Sequence, residues 1–505
     1  MKQNITPFQV LASTIAGVLP LHADWRRIKQ AGQEKCPHQR SNGTLMTSIL
    51  RRILFPTRFR VVMMSLGLCL FMNSCAKAEN EEGKVIVFEK EIDLHSSYGR
   101  FCWSPDSRYI AAYRGSRGFN DIGIVDIETG KIRSYNCAVW GGLEAISWSP
   151  DQKLLAVSSE NEIKILRLAD GKVIAGIHIP YEEVRAGLTS VTFGQSAFSE
   201  DGTRLLLVST LERDYAIINS FDLATGKITP LLLPSLPPLN PPPYDAYKGW
   251  KKDAVLTYRF YRYQGHLYFA CEYHRLQEAW DYNFSLPLKK DGERDMEHYV
   301  MPKIIMVADL GDGKSVLSTT VLNFPDKPIR PGEPPPQDRP EFNHVFFKDY
   351  VPQLNTVIVQ NYGTKVLDKR GTRPLQYQML SMQREPLIRF GESWWSLTSG
   401  GDEVHHPSGP LFLSHEHVPA DKTLRDTYID TYALEKMPIK QQFVVYDLLT
   451  GKEFDRFDRH ESSIIADRSL AMSGDCFSPD GQHFTYRQDG TILTLYKVTV
   501  NHTEN

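Results

Sequence analysis

Two short runs of this sequence carry imidazoles at spacings that chemistry uses: His405-His406 and His415-Glu416-His417. On a strand, an H-x-H pair points both rings to one face, which suits a metal ion. His415 and His417 are therefore candidate ligand-binding residues. The order of elements argues against one joint centre. His405-His406 is expected in the connection between a first and a second strand, and His415–His417 just after the second. The apolar strand Leu411–Ser414 lies between them and separates them by ~13 Å or more at ~3.3 Å per residue. An unaccompanied H-x-H is a weak pattern. No metal and no cofactor are assigned, and surface histidines are the expectation.

Other chemistries are poorly served. No Gly-x-Ser-x-Gly elbow and no Gly-x-Gly-x-x-Gly after a strand occurs. Gly313-Lys314-Ser315 has the tail of a phosphate-binding loop, but Ala308 stands where its first glycine belongs, so a turn is expected there. Asp106, Asp151 and Asp480 recur at one turn position, as structural caps do. Aromatics gather at Tyr244, Tyr247, Trp250, Tyr273, Trp280 and Tyr282. They form either a platform for a sugar or peptide or a small local core, and burial of large aromatics favours the core. Cys102 and Cys476 hold matching places in two repeats, where buried thiols are expected rather than a disulfide.

The charge balance of −2 gives no reason to expect nucleic acid as a partner. Arg51, Arg52, Arg58 and Arg60 precede an apolar run, Val61–Met72, too short to span a bilayer comfortably. It ends at Met72-Asn73-Ser74-Cys75. The segment 46–75 reads as a signal peptide whose end resembles a bacterial lipobox, which implies lipidation at Cys75. Met72 and Asn73 depart from the usual pattern. A plain secretory signal or a short anchor shares the same charge-then-apolar order. Lipid would tether the protein to a membrane surface. Ala76 favours, by the same resemblance, the outer membrane, facing the periplasm or the cell surface. Residues 1–45 do not fit this signal, and Met46 is the expected start, which makes 1–45 a non-native or disordered extension. Residues 76–83 read as a tether and 499–505 as a tail.

These features need a scaffold, and the scaffold is written as a repeat. FCWSPDSRYIAAY (Phe101–Tyr113), ISWSPDQKLLAVS (Ile146–Ser158), AFSEDGTRLLLVS (Ala197–Ser209) and CFSPDGQHFTY (Cys476–Tyr486) each read as strand, tight turn, strand. Third-strand ends follow at Ile122–Lys131, Ile163–Lys172, Ile218–Lys227, Ile304–Lys314 and Phe443–Lys452, with a weaker one at Thr364–Arg373 and the last at Thr491–Val498. These make seven units. The fold class is all-β: a seven-bladed β-propeller over 84–498. The lone strand Lys84–Lys90 should pair beside Thr491–Val498 and close the ring, removing exposed edges.

These residues resemble the WD-repeat-like propellers of the bacterial exported type, with Ser-Pro-Asp-Gly turns. The resemblance is strong in units one, two, three and seven. Gly265-His266 and Trp280-Asp281 occur away from third-strand ends, so the hydrogen-bond network of intracellular WD repeats is not implied.

Four insertions enlarge the units: 232–250, 274–300, 324–340 and 416–440. Successive connections of an antiparallel blade alternate between its two ends. All four insertions thus emerge on one face, and the short turns on the other. The Pro runs Pro237–Pro243 and Pro334–Pro336 read as stiff linkers. The expected role is a binding or scaffold protein, monomeric, that engages a protein or saccharide through the insertion-bearing face. The alternative is a propeller enzyme, lactonase- or lyase-like, with its site at the channel mouth. That role needs acidic or imidazole side chains on first strands, and Gly99–Trp103, Leu143–Trp148 and Ala471–Phe477 supply few.

Overall fold

The structure is a computed structural model that describes residues 85–94, 98–116, 119–137, 143–159, 162–178, 191–193, 196–209, 217–232, 254–274, 303–324, 345–361, 371–372, 375–393, 404–419, 429–430, 439–458, 477–487 and 492–499. These fall in one compact unit, Gly83–Asn505.

Alternating apolar residues and short turns give strands, and the strands assemble into antiparallel sheets. Six sheets have four strands each in meander order. Blade one runs from Tyr98 to Asn136, blade two from Leu143 to His178 and blade three from Val191 to Leu232. Blade four runs from Ala254 to Phe324, blade five from Val345 to Ser393 and blade six from Val404 to Asp458. Blade seven joins the two ends of the chain. Its strands are His483–Arg487, Ile492–Val498 and Ile86–Asp93. A bridge from Phe477 to Phe484 supplies its innermost position.

The first strand pairs antiparallel with the last as expected, in the register Ile86 with Val498 and Phe88 with Tyr496. Apolar packing then runs unbroken around the ring. Tyr113 and Ile122 of blade one pack with Trp148 and Val157 of blade two. One cluster joins blades two, three and four through Ile165, Phe221 and Phe269. Blades four and five meet at Ile305 and Val359. Blades five and six meet at Tyr377 and Phe412, and blades six and seven at Phe443 and Phe484. The last joint packs Leu493 and Leu495 of blade seven against Trp103 and Ile110 of blade one. The ring is therefore sealed by side chains as well as by backbone pairing.

The Ser-Pro-Asp turns are self-satisfied. Ser104 Oγ donates to Asp106 Oδ1 at 2.5 Å and accepts from Tyr109 N at 2.8 Å. Ser149 with Asp151, Ser199 with Asp201 and Ser478 with Asp480 repeat this arrangement. The carboxylates are turn caps, as their repetition implied. Lys314 likewise belongs to a turn, and its Nζ lies 2.7 Å from Asp201 Oδ2 across the joint between blades four and three.

Two expectations are corrected. Thr364–Arg373 is not a third strand. The third strand of blade five is Leu375–Ser381. It has the alternation that Thr364–Arg373 lacks, with Tyr377 and Met379 facing blade six and Leu380 facing blade four. Gly371–Thr372 instead pairs with Ile429–Asp430, joining the second-to-third connections of blades five and six. The second correction concerns blade six. Its second strand extends from Leu411 to Pro419, so His415 and His417 lie within it and not after it.

Gly481, at φ 72°, shows how tightly one joint is built. A Cβ there would lie 2.3 Å from His406 Cε1. Gly226, at φ 69°, faces open space. Gly226→Ala should cost about 1 kcal/mol, the price of a left-handed backbone alone. Gly481→Ala should cost about 1–3 kcal/mol more, because the imidazole must move. Urea unfolding midpoints of the two variants test this ranking.

Candidate functional site

The inner strands and the turns that follow them bring every blade to one end of the central channel. There they enclose a cavity of about 410 Å³. Trp103 and Pro105 come from blade one, Trp148 and Pro150 from blade two, and Ser196 and Glu200 from blade three. Blade four contributes Arg259 through Tyr263, and blade five Pro352 and Gln353. His405 and Pro407 of blade six and Phe477 to Pro479 of blade seven complete the wall. Because first strands run into first connections here, the cavity lies at the short-turn end of the channel. Prolines recur at the rim because the short turns of blades one, two, five, six and seven carry one near their start, Pro105, Pro150, Pro352, Pro407 and Pro479, its fixed φ suiting that position.

A buried carboxylate organises one side of the wall. Asp349, fully buried on the inner strand of blade five, accepts hydrogen bonds from three blades. Tyr261 OH of blade four donates to Oδ1 at 2.6 Å. Arg259 Nη1 of the same strand lies 3.3 Å from Oδ1. His405 of blade six donates to Oδ2 twice, from its backbone N at 2.7 Å and from its ring Nδ1 at 2.9 Å. The backbone N of Tyr350 bonds both Asp349 Oδ1 and Tyr261 OH, at 3.0 and 3.1 Å. Burial alone would raise the pKa of this carboxyl. His405 in its protonated form, the Arg259 charge and the donated hydrogen bonds outweigh it and bring the value down to about 2. The Tyr261 phenol moves the other way, raised by burial and by the Asp349 charge.

The two adjacent histidines hold opposite tautomers. His406 Nε2 donates to Gly481 O at 2.8 Å while its Nδ1 accepts from Ser408 N at 3.3 Å. His405 donates through Nδ1, which leaves Nε2 with its lone pair and with no hydrogen-bond partner among the described residues. A second polar pair sits across the cavity wall. Arg262 donates to Glu200 Oε2 at 2.5 Å and to Phe198 O. Burial lowers the Arg262 pKa, and Glu200 partly offsets this.

Another buried charge centre lies toward the opposite end of blade four, at the strand ends that bound the 275–302 connection. Glu272 Oε1 is bonded by His274 Nε2 and, at 3.0 Å, by Lys303 Nζ. Its Oε2 accepts from Phe347 N at 2.6 Å. Lys303 Nζ also stands 3.8 Å above the Phe346 ring. Burial pushes the Glu272 carboxyl up, but Lys303, His274 and the Phe347 amide bring it to about 2. With all its oxygens engaged, this centre joins blades four and five.

The expectation of surface histidines is overturned for His405 and His406, which are both buried. His405 ends a first strand and is not in a connection, because its backbone N is needed by Asp349. Tyr273 is in the core shared by blades two to four, the local-core reading of that aromatic. Cys102 is buried. Cys75, Tyr244, Tyr247, Trp250, Trp280, Tyr282 and Cys476 lie outside the described residues, as do the side chains of His415 and His417. The first strands of blades four, five and six supply Arg259, Asp349 and His405. One signal was available in five of the blades: a proline just after the inner strand, Pro352 and Pro407 included, marks where that strand ends and so which residues line the channel.

No family model matches this sequence, and no curated protein does. A solved structure titled "Structure of Dos1 propeller" is similar over 82% of this chain and 96% of that chain, at 11% identity and a TM-score of 0.43.

The depressed Asp349 pKa makes a signed prediction. A folded value near 2 against an ordinary ~3.9 stabilises the fold by about 2–3 kcal/mol above pH ~5, and that contribution is lost as pH falls toward 2. Asp349→Asn should be less stable than the parent at pH 7 and approach it at pH 2–3. Denaturation midpoints of both chains across that range provide the check. A constant gap would contradict it.

Proposed function

We propose that this protein is an exported, membrane-anchored binding propeller whose ligand seats in the channel mouth at the short-turn end. The observation that carries this reading is the cavity to which all seven blades contribute. A pocket of a few hundred Å³ with apolar walls and a few fixed polar groups is the usual form of a ligand site. Trp103, Trp148, Phe477 and the rim prolines form its apolar part. Arg259 and Arg262 are each matched by a carboxylate, Asp349 and Glu200, so the site has no excess of either charge. That balance suits a neutral saccharide or a short uncharged peptide segment better than a polyanion. The insertion-bearing face remains a second place for a protein partner, on the strength of its loop lengths alone. The basic-then-apolar run ending at Cys75 supports export and anchoring.

Because Trp103 and Trp148 line the cavity, occupancy should change tryptophan fluorescence. Titration with neutral oligosaccharides and short peptides should give a saturable change. Pro150→Trp, at a turn position open to most residue types, should fill the rim and weaken that change at least tenfold. Binding that survives Pro150→Trp but is lost on deleting 232–250 would move the site to the other face. For the anchor, Cys75→Ser should shift the protein from the membrane to the soluble envelope fraction. An unchanged distribution would remove lipidation from the account.

A further inference from the structure

The channel mouth holds more than a binding pocket requires. We infer that His405 and Asp349 form a general-base dyad and that the channel mouth hydrolyses a small neutral ester or lactone. This inference rests on the channel mouth being the ligand site.

The geometry has the parts in order. Asp349 is fully buried and bonded on both oxygens. It holds the imidazole by Nδ1 at 2.9 Å, and the backbone N of His405 reaches the same oxygen. Ring and carboxylate are thus fixed from two directions, which sets the tautomer and stabilises an imidazolium when one forms. The Nε2 lone pair is the basic site left over, and His405 lines the cavity. The groups facing this histidine are Asp349, Tyr261, whose ring centroid is 5.5 Å away, and Arg259. Arg259 lines the same cavity with its guanidinium held by Asp349, and it is the cation available to a developing oxyanion. A purely structural ion pair needs neither an open Nε2 nor a cavity in front of it.

The reaction balances without a cofactor. His405 Nε2 takes a proton from water as the oxygen adds to the ester carbonyl carbon, and the carbonyl oxygen gains charge beside Arg259. The carbon–oxygen bond to the leaving group then breaks, and the imidazolium returns its proton to the departing alkoxide. Water and ester become acid and alcohol, or a ring-opened hydroxy acid.

The test uses the purified full chain with p-nitrophenyl butyrate and γ-butyrolactone. Hydrolysis above the buffer rate is expected on at least one probe, with kcat/KM falling on the acid side as a base of imidazole type is protonated. His405→Gln should lower kcat at least 100-fold with KM little changed. Asp349→Asn should lower kcat and displace the acid limb. Pro150→Trp, which leaves the dyad in place, should reduce kcat/KM at least tenfold through access. If His405→Gln does not fold, the acid limb and the Pro150→Trp effect decide alone. A parent no faster than buffer on both probes overturns the chemistry, as does a folded His405→Gln that retains the parent rate. Tryptophan quenching by γ-butyrolactone separates the failures. Saturable quenching without turnover removes the hydrolysis and leaves the binding site. No quenching and no turnover removes both.

Discussion

Pairing between Ile86–Asp93 and Ile492–Val498 is the constraint from which the rest of this molecule follows. A propeller blade is an open sheet with two edges and two apolar faces. It is stable only when neighbours cover both faces and when no edge invites another chain. Closing the last blade with the first strand joins sequence positions that are furthest apart. It also places Leu493 and Leu495 against Trp103 and Ile110. Polar contacts reinforce the joints on both sides of blade seven. Asp455 of blade six accepts from the backbone N of Val85 and of Ile86. On the other side, Asp480 N donates to Ser107 Oγ of blade one.

Closure also explains how a cavity arises that no blade holds alone. The ends of the inner strands converge because the ring is complete, and the short turns leave that end open. The polar content is concentrated in blades four, five and six, where Asp349 ties Tyr261, Arg259 and His405 together. Burying a carboxylate is costly unless it is bonded and paired. Here the cost is met by donors from three blades, so the same bonds that fix the site also fix blade positions. Glu272, His274 and Lys303 do the same between blades four and five.

Much of the fold was legible from residue types. Ser-Pro-Asp turns are local chemistry: a hydroxyl, a fixed φ and a capping carboxylate act within a few residues, so they read directly as blades one, two and seven, and Ser199-Glu200-Asp201-Gly202 as a variant of the same turn in blade three. The closing strand was legible because an unpaired strand at one end met a missing strand at the other. Blade five was misplaced because Asp368-Lys369-Arg370-Gly371 imitates a turn in composition, while the alternation that decides a strand lies at Leu375–Ser381. The site was harder to see. Asp349 and His405 are 56 residues apart and meet only through ring geometry, which no local pattern encodes. His405 also drew attention as part of a histidine pair, for which a surface position in a connection was expected, when its role is set by a carboxylate in the next blade.

The account is tested most directly by removing the closing strand. Two versions of the chain, one starting at Gly83 and one at Ser96, differ in the strand Ile86–Asp93. Thermal unfolding followed by circular dichroism should show a single cooperative transition for the first. The second should lose that transition and aggregate, since both Ile492–Val498 and the face of blade one are uncovered. If the chain starting at Ser96 unfolds cooperatively at the same temperature as the longer one, the ring does not depend on this pairing and the placement of the cavity at its centre fails with it.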